Sequence, residues 1–384
     1  MHSMQQSLRL ACLGCLVFLA GTANALDHVT FRHEGKSIQI SGQVLVEPED
    51  GGLLLVDRAG TLWAITSEEL EGRRKDEAAF KPFDEKAMAE HLLREVSANF
   101  RIHTTAHYVI GYNTSPEYAK WCGALFERLY LAFCTFWRES GIPLQDPPSP
   151  LVALVFDGKD AFARYSRAEL GEATPSIFGY YSLRTNRVTM YDLTGADAAR
   201  GRVRTTSAEH INRVLSRPQA ERTVATIIHE ATHQLAFNCG LLTRYADIPL
   251  WVSEGIAIYF ETPDLQSKRG WRNIGGVNQV RLAGFRQHLP RRPQDSLLTL
   301  ISRDDRFRRT DTAGDAYGEA WALNYFLLLR GHRDRYVQYL KGLSQKQPLI
   351  YDEPEDRVQQ FKAAFGENLE KLNADFLRYM SGVR

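Results

Sequence analysis

An apolar segment at residues 221–238 (ERTVATIIHEATHQLAFN) constrains the fold more strongly than the rest of the chain. Its apolar residues recur with helical spacing, and His229, Glu230 and His233 lie among them. Histidines separated by one helical turn project from the same face, so both imidazoles can bind a single metal ion. Burial of such side chains without a partner is strongly unfavourable. We therefore predict a buried helix with a metal site on one face.

A zinc site that catalyses a reaction has three protein ligands and one open position for water. The segment PLWVSEGIAIYF at residues 249–260 carries Glu254 among apolar neighbours. Because a lone carboxylate there would be unfavourable, we predict that Glu254 joins His229 and His233 as the third ligand. Cys239, as a thiolate, is the alternative ligand.

Glu230 lies beside the two histidines of the motif but is not itself aimed at the metal position. A carboxylate in that place can accept the proton of a metal-bound water. The pattern therefore predicts a general base next to the metal site. The alternative interpretation is that these side chains are ordinary core or surface residues without a ligand role.

The first 25 residues have the composition of a secretory signal peptide. Arg9 precedes an apolar run at residues 10–20 (LACLGCLVFLA), and small residues follow as far as Ala25. The run is shorter than the span of about 20 residues that crosses a bilayer. We expect cleavage after Ala25, export to the periplasm or the medium, and no transmembrane segment in the mature chain.

Three of the five cysteines, Cys122, Cys134 and Cys239, lie beyond this signal. Cys122 and Cys134 fall on one predicted helix at a separation of about 18 Å, which is beyond disulfide reach. A bridge from Cys239 to either of the others stays open. Because three is an odd number, we expect no disulfide framework.

Composition excludes several functional classes. The chain has 384 residues, with 47 Lys+Arg against 46 Asp+Glu and 44% hydrophobic residues. A domain that binds nucleic acid normally has a basic excess, so a net charge of +1 argues against nucleic acid as a partner. The length allows about two domains. The oligomeric state is left open.

The pattern along the chain predicts an α+β fold in four parts. Residues 1–25 are the signal peptide, and residues 26–66 alternate apolar and polar side chains, which indicates a small β-meander module. Residues 67–100 are charged and are predicted as a helical connector. Residues 101–384 are predicted as the domain of the metal site, a small mixed sheet with the metal-binding helix followed by a mainly helical C-terminal part.

The two metal-binding segments resemble a known superfamily. HEATH at residues 229–233, followed by WVSEG at residues 251–255, resembles the gluzincin zinc metallopeptidases, the thermolysin-like superfamily. The segments FGYYSLRTNRVTMYDL and DAYGEAWALNYFLL are similar to a family of exported bacterial proteins known only as a domain of unknown function. This similarity covers about residues 100 to 380. It implies a zincin-like metallopeptidase domain with one catalytic Zn²⁺.

The resemblance also implies a role for each residue of the site. His229, His233 and Glu254 match the zinc ligands, and Glu230 matches the general base. In this superfamily a tyrosine on a downstream helix commonly donates a hydrogen bond to the oxyanion of the reaction intermediate. Tyr317 is the matching residue here, and a packing role at the start of a helix is its alternative.

These roles predict an exported zinc metallopeptidase that acts on a peptide or protein substrate. The aminopeptidase branch carries a Gly-x-Met-Glu-Asn element upstream of its zinc motif, and this sequence lacks it, so we do not expect an aminopeptidase. Two alternatives stay open. One is a binding or scaffold protein that holds zinc on a peptidase fold without turnover, and the other is a zinc hydrolase of non-peptide amides such as cell-wall substrates.

Overall fold

A computed structural model describes residues 25–171, 174, 177–192, 194, 211, 218–262, 274–329 and 331–384. It shows a mixed α+β protein with an antiparallel sheet near the N-terminus and a helical C-terminal part, as the sequence predicts. The predicted signal peptide lies outside the described residues, apart from Ala25. Within the described ranges, no helix combines the length and the apolar character needed to cross a membrane.

The chain divides into two compact units. The first contains residues up to 104 together with 109–119 and 149–204, and the second contains residues 105–108, 120–148 and 205–384. Most strands that follow residue 101 therefore belong to the first unit. The sequence analysis predicts one domain over residues 101–384, and this range includes both these strands and the C-terminal helices.

The first unit begins with an antiparallel sheet. In the described part of the chain it has five strands, β1 (Ala25–His33), β2 (Lys36–Val46), β3 (Leu53–Asp57), β4 (Leu62–Ile65) and β5 (Leu70–Ala79), in the order β4-β3-β2-β1-β5. Its buried face is built from alternating apolar residues, which are Val29, Phe31, Leu53, Leu55 and Ile65. The antiparallel sheet predicted from the alternating pattern is therefore confirmed.

The helical connector predicted over residues 67–100 is wrong in its first part. Leu70–Ala79 forms β5, which pairs antiparallel with β1, and Glu85–Glu95 forms the helix α1. Most side chains of β5 are polar because it is an edge strand, so they lack the apolar alternation that signals a strand. Arg73 of this strand donates to Asp27 on β1 at 2.8 Å, which pairs charges across the sheet.

A second sheet is mixed and lies mostly in the first unit. Its strands within the described residues are β6 (Arg101–Thr104), β7 (Tyr108–Tyr112), β8 (Leu151–Phe156), β9 (Gly179–Tyr181) and β10 (Arg187–Tyr191), in the order β6-β7-β8-β10-β9. β10 runs parallel to β8 and antiparallel to β9. The helix α2 (Pro116–Glu139) follows β7, and α3 (Lys159–Leu170) follows β8.

The second unit is helical and contains most of α2. Its further helices in the described ranges are α4 (Pro218–Asn238), α5 (Leu250–Phe260), α6 (Gln279–His288), α7 (Ser296–Ser302), α8 (Asp305–Arg308), α9 (Ala313–Leu329), α10 (Arg333–Ser344), α11 (Pro354–Phe365) and α12 (Leu369–Ser381). α5 packs against both α4 and α9. The predicted helical C-terminal part is therefore confirmed.

A close approach between α5 and α9 depends on the glycine in the middle of α5. A Cβ atom at Gly255 would lie 1.9 Å from Nδ2 of Asn324 and 2.9 Å from the carbonyl oxygen of Ala320. Asn324 uses this proximity to donate a hydrogen bond to the carbonyl oxygen of Trp251 at 2.9 Å. Gly255 and Asn324 thus fix the distance between the two helices next to Glu254.

Candidate metal centre

The three predicted ligands converge in the structure, two from α4 and one from α5. Nε2 of His229 lies 3.1 Å from Nε2 of His233 and 3.1 Å from a carboxylate oxygen of Glu254. The same oxygen lies 3.5 Å from Nε2 of His233. One ligand atom from each residue lies within 4.8 Å of the others. Helix packing therefore brings the two segments of the sequence motif to a common point.

Donor atoms with this spacing can hold one metal ion. Ligands bound at about 2.0–2.1 Å in tetrahedral geometry are about 3.3 Å apart. The observed separations of 3.1 Å and 3.5 Å lie on either side of that value. Two imidazole nitrogens and one carboxylate oxygen are also a donor set that zinc accepts. The residues present therefore fit a zinc ion.

A further carboxylate, which we did not predict from the sequence, orients the first histidine. Glu261 follows the last residue of α5 and accepts a hydrogen bond from Nδ1 of His229 at 2.7 Å. A neutral His229 with its proton on Nδ1 would present the Nε2 lone pair to the ligand atoms of His233 and Glu254. Asn278 donates to the second oxygen of Glu261 at 3.1 Å, and a guanidinium nitrogen of Arg281 lies 3.7 Å from the first.

A signal for Glu261 does exist in the sequence. It is placed two helical turns after Glu254, and residues with this spacing lie on the same face of a helix. Carboxylates commonly hold metal-binding histidines, but the spacing alone does not single out Glu261.

The charges of the site shift the pKa values of His229 and Glu254 in opposite directions. Burial disfavours the charged form of both side chains. Hydrogen bonds with Glu254 and Glu261 nevertheless raise the pKa of His229 well above its ordinary value. The charge of His233 and hydrogen bonds with both imidazoles hold the pKa of Glu254 far below its usual range. The space between these side chains therefore favours a positive charge.

Glu230, the predicted general base, is half-buried and follows His229 in α4. Its negative charge contributes to the raised pKa values of both His229 and Tyr317. Glu230 is therefore within electrostatic range of a predicted ligand and of the predicted oxyanion donor.

Tyr317 is half-buried in the second turn of α9. The charge of Glu254, burial, and the charge of Glu230 all raise the pKa of its hydroxyl, so the phenol is a hydrogen-bond donor at neutral pH. Its ring packs edge-on against the ring of Phe307, with the two ring centroids 5.3 Å apart. The Arg281 guanidinium carbon lies 5.5 Å from the centroid of the Tyr317 ring. The structure therefore shows a packed ring whose hydroxyl lies within range of the charges of Glu254 and Glu230, and the role as oxyanion donor stays a prediction.

In the described part of the chain, the ligand atoms that converge do not include the sulfur of Cys239, the alternative ligand. Cys239 directly follows α4 and is fully buried. The structure therefore places Glu254, and not Cys239, with the two histidines.

Residues 223–350 match the sequence model of a family described as "Protein of unknown function (DUF1570)". This range contains the converging residues and their neighbours, which are His229, Glu230, His233, Glu254, Glu261 and Tyr317. The match confirms the expected similarity to a domain of unknown function, over a shorter range than residues 100 to 380. A search of curated proteins finds no match.

Proposed function

We propose that the chain is an exported zinc metallopeptidase that hydrolyses peptide bonds. The convergence of His229, His233 and Glu254 is the observation that supports this function most. Glu230 is close enough for its charge to contribute to the raised pKa of His229. Three protein donors leave one coordination position open, which is typical of catalytic zinc rather than of structural zinc. The resemblance of both segments to gluzincins supports a zincin-like fold as part of the proposal.

In this proposal each side chain has a separate task. When bound, zinc would supply a Lewis acid for the scissile carbonyl group and for the attacking water. Glu230 accepts the proton of that water and delivers it to the leaving amine. Tyr317 donates a hydrogen bond to the oxyanion, and Glu261 keeps His229 in the tautomer that presents Nε2.

Glu230 favours hydrolysis over a binding function without turnover. A protein that only holds zinc needs ligands and the groups that orient them, and His229, His233, Glu254 and Glu261 fill those places. Glu230 is neither one of these ligands nor the group that orients His229. It is, however, what activation of a water molecule requires.

Zinc content and peptide cleavage test this proposal, with the purified full-length protein and the variants Glu230→Gln and Glu355→Gln. Glu355 is an exposed acid in the first turn of α11 and serves as the matched control. We expect one zinc ion per chain in all three proteins. A peptide library should be cleaved by the wild type and the control, but not by Glu230→Gln or in the presence of a chelator.

Other results would overturn parts of the proposal in recognisable ways. Absence of zinc from the wild type would remove the metal site, and full activity of Glu230→Gln would remove the general base. Zinc binding with cleavage of cell-wall amides but not of peptides would support the non-peptide alternative. Zinc binding without cleavage of either substrate class would support a binding protein.

A further inference from the structure

A partly exposed arginine borders the candidate metal centre at the place where α6 packs against α9. Arg281 lies in the first turn of α6, and its backbone N–H donates to the side chain of Asn278 at 3.1 Å. A Cβ atom at Gly318 of α9 would lie 3.6 Å from the carbonyl oxygen of Arg281, so the two helices are close at this level. The backbone of Arg281 is therefore fixed next to the start of α9.

Two neighbours place the guanidinium group of Arg281 beside the residues of the site. One of its nitrogens lies 3.7 Å from an oxygen of Glu261, and the same oxygen accepts from Nδ1 of His229 at 2.7 Å. The central carbon of the group lies over the ring of Tyr317, 5.5 Å from the ring centroid. A single carboxylate oxygen thus separates the guanidinium from a predicted ligand, and the group also borders the predicted oxyanion donor.

The described residues leave the hydrogen-bond donors of this guanidinium unused. Within the described ranges the group makes no hydrogen bond, and 30% of the side chain is exposed. A guanidinium carries five N–H donors at its edges, and contact of its face with an aromatic ring leaves them available. The arginines in the interior of this unit differ, because Arg292 and Arg306 donate to Glu319 at 2.7 Å and 2.8 Å.

The ion pair with Glu261 does not occupy these donors. A separation of 3.7 Å is longer than a hydrogen bond. Both oxygens of Glu261 also accept from other groups, one from His229 and one from Asn278. The ion pair therefore holds the guanidinium of Arg281 at the margin of the site and leaves its edges open to a ligand.

We propose that Arg281 binds a carboxylate of the peptide substrate and so selects peptides with a negative charge close to the bond that is cut. A carboxylate fits this group because its two oxygens pair with two parallel N–H donors of a guanidinium. It comes either from an acidic side chain or from the C-terminus of the peptide. This inference rests on the proposed peptidase function and adds a substrate class to it.

Cleavage of paired peptides tests the selection, with zinc-saturated full-length protein and the variants Arg281→Gln and Arg281→Lys. A library peptide that the wild type cleaves is resynthesised with Glu or Gln at each position around the cut, and with a free or an amidated C-terminus. For the wild type we expect kcat/KM of the best charged peptide to exceed that of its neutral partner by about 10–100-fold. Arg281→Gln should lose this ratio, and Arg281→Lys should keep part of it.

The peptide pairs also identify the source of the carboxylate and show whether Arg281 contacts it. A ratio that survives amidation assigns the carboxylate to a side chain, and one that disappears assigns it to the C-terminus. Arg335→Gln is the matched control, because Arg335 is an exposed arginine of α10, and it should keep the ratio. Equal rates for charged and neutral peptides in the wild type would overturn the proposal. An equal loss on both members of every pair in Arg281→Gln would overturn it too, and would leave Arg281 a positioning role toward Tyr317 or Glu261.

Peptide binding separates this inference from the peptidase function. Immobilised Glu230→Gln protein is incubated with an equimolar mixture of the charged and neutral library peptides, and the bound peptides are counted by mass spectrometry. We expect enrichment of the charged peptides, and its loss when Arg281→Gln is added. Enrichment without cleavage by the wild type would refute the peptidase and keep the carboxylate site. Equal binding together with equal cleavage rates would keep the peptidase and overturn the carboxylate site, and neither binding nor cleavage would overturn both.

Discussion

Two carboxylates in the interior of the second unit are compensated in different ways. Glu319 in α9 is fully buried and bonds to Arg292 at 2.7 Å, Arg306 at 2.8 Å and Ser296 at 2.7 Å. Glu254 in α5, with 16% of its side chain exposed, faces two imidazoles at 3.1 Å and 3.5 Å. Burial opposes ionisation of both, yet positive partners lower both pKa values.

The difference lies in how permanent the compensating charge is. Guanidinium groups stay protonated at all ordinary pH values, so the protein itself neutralises Glu319. Imidazoles that present a lone pair to a metal are neutral, so Glu254 is neutralised only when a proton or a metal ion supplies the charge. Glu319 is thus compensated within the protein, whereas compensation of Glu254 depends on a proton or on an external cation.

Replacement of each glutamate by glutamine should separate most clearly the stabilising role of Glu319 from the metal-binding role that we propose for Glu254. Glu319→Gln should lower the free energy of unfolding by about 3–5 kcal/mol, because two largely buried guanidinium groups lose their partner. Zinc binding should survive this change. Glu254→Gln should abolish zinc binding but change the stability of the chelator-treated protein less than Glu319→Gln does. Urea unfolding and metal analysis measure the two effects.

Unfolding at acidic pH further checks the effect of Glu319→Gln on stability. The pKa of Glu319 is lowered from an ordinary value of 4.5, so its ion pairs contribute fully above that pH. The contribution is lost as the pH falls toward the lowered pKa. The stability difference between wild type and Glu319→Gln should therefore shrink below pH 4.5. A constant difference on acidification would assign the effect to packing instead.

The next largest expected effect is the loss of activity in Tyr317→Phe. If the phenol donates to the oxyanion, removal of its hydroxyl should lower kcat by about 10²–10³ while zinc binding and stability stay unchanged. Peptide-cleavage kinetics provide the measurement. Tyr351→Phe is the matched control, because Tyr351 is 57% exposed. An unchanged rate would show that Tyr317 has only the packing role seen in its contact with Phe307.

The smallest expected effect concerns the residue that orients His229. Glu261→Gln keeps the size of the side chain but weakens the hydrogen bond from Nδ1, so zinc affinity should fall by about 10–100-fold. Competition with a coloured chelator measures the affinity, and Glu355→Gln again controls for loss of an exposed acid. If the affinity is unchanged, Glu261 acts on the stability of the helix end and not on the metal.

The convergence of His229, His233 and Glu254 could be predicted because its signals are local. Helical spacing places His229 and His233 on one face, and the apolar neighbours of Glu254 predict its burial. Glu261 was missed because its role depends on where the end of α5 meets α4, which is a tertiary contact. The helical spacing from Glu254 alone does not distinguish such a residue from a surface acid.

The fold shows the same limit. The alternating apolar residues of the N-terminal strands reveal the sheet from sequence, since one face of each strand enters a core. The edge strand β5 has mostly polar side chains and is held by pairing with β1, so its residues carry no pattern of their own.

The close approach at Gly255 has a consequence for protein engineering. Replacement of a glycine within a helix by alanine is a common way to raise thermal stability, and it gains roughly 0.5–1 kcal/mol in an open helix. At this position the new methyl carbon would meet the amide of Asn324 at 1.9 Å, so α5 would have to move away from α9. Glu254 would move with it. A stabilising substitution chosen at Gly255 by helix propensity alone would therefore displace the carboxylate of the candidate metal site.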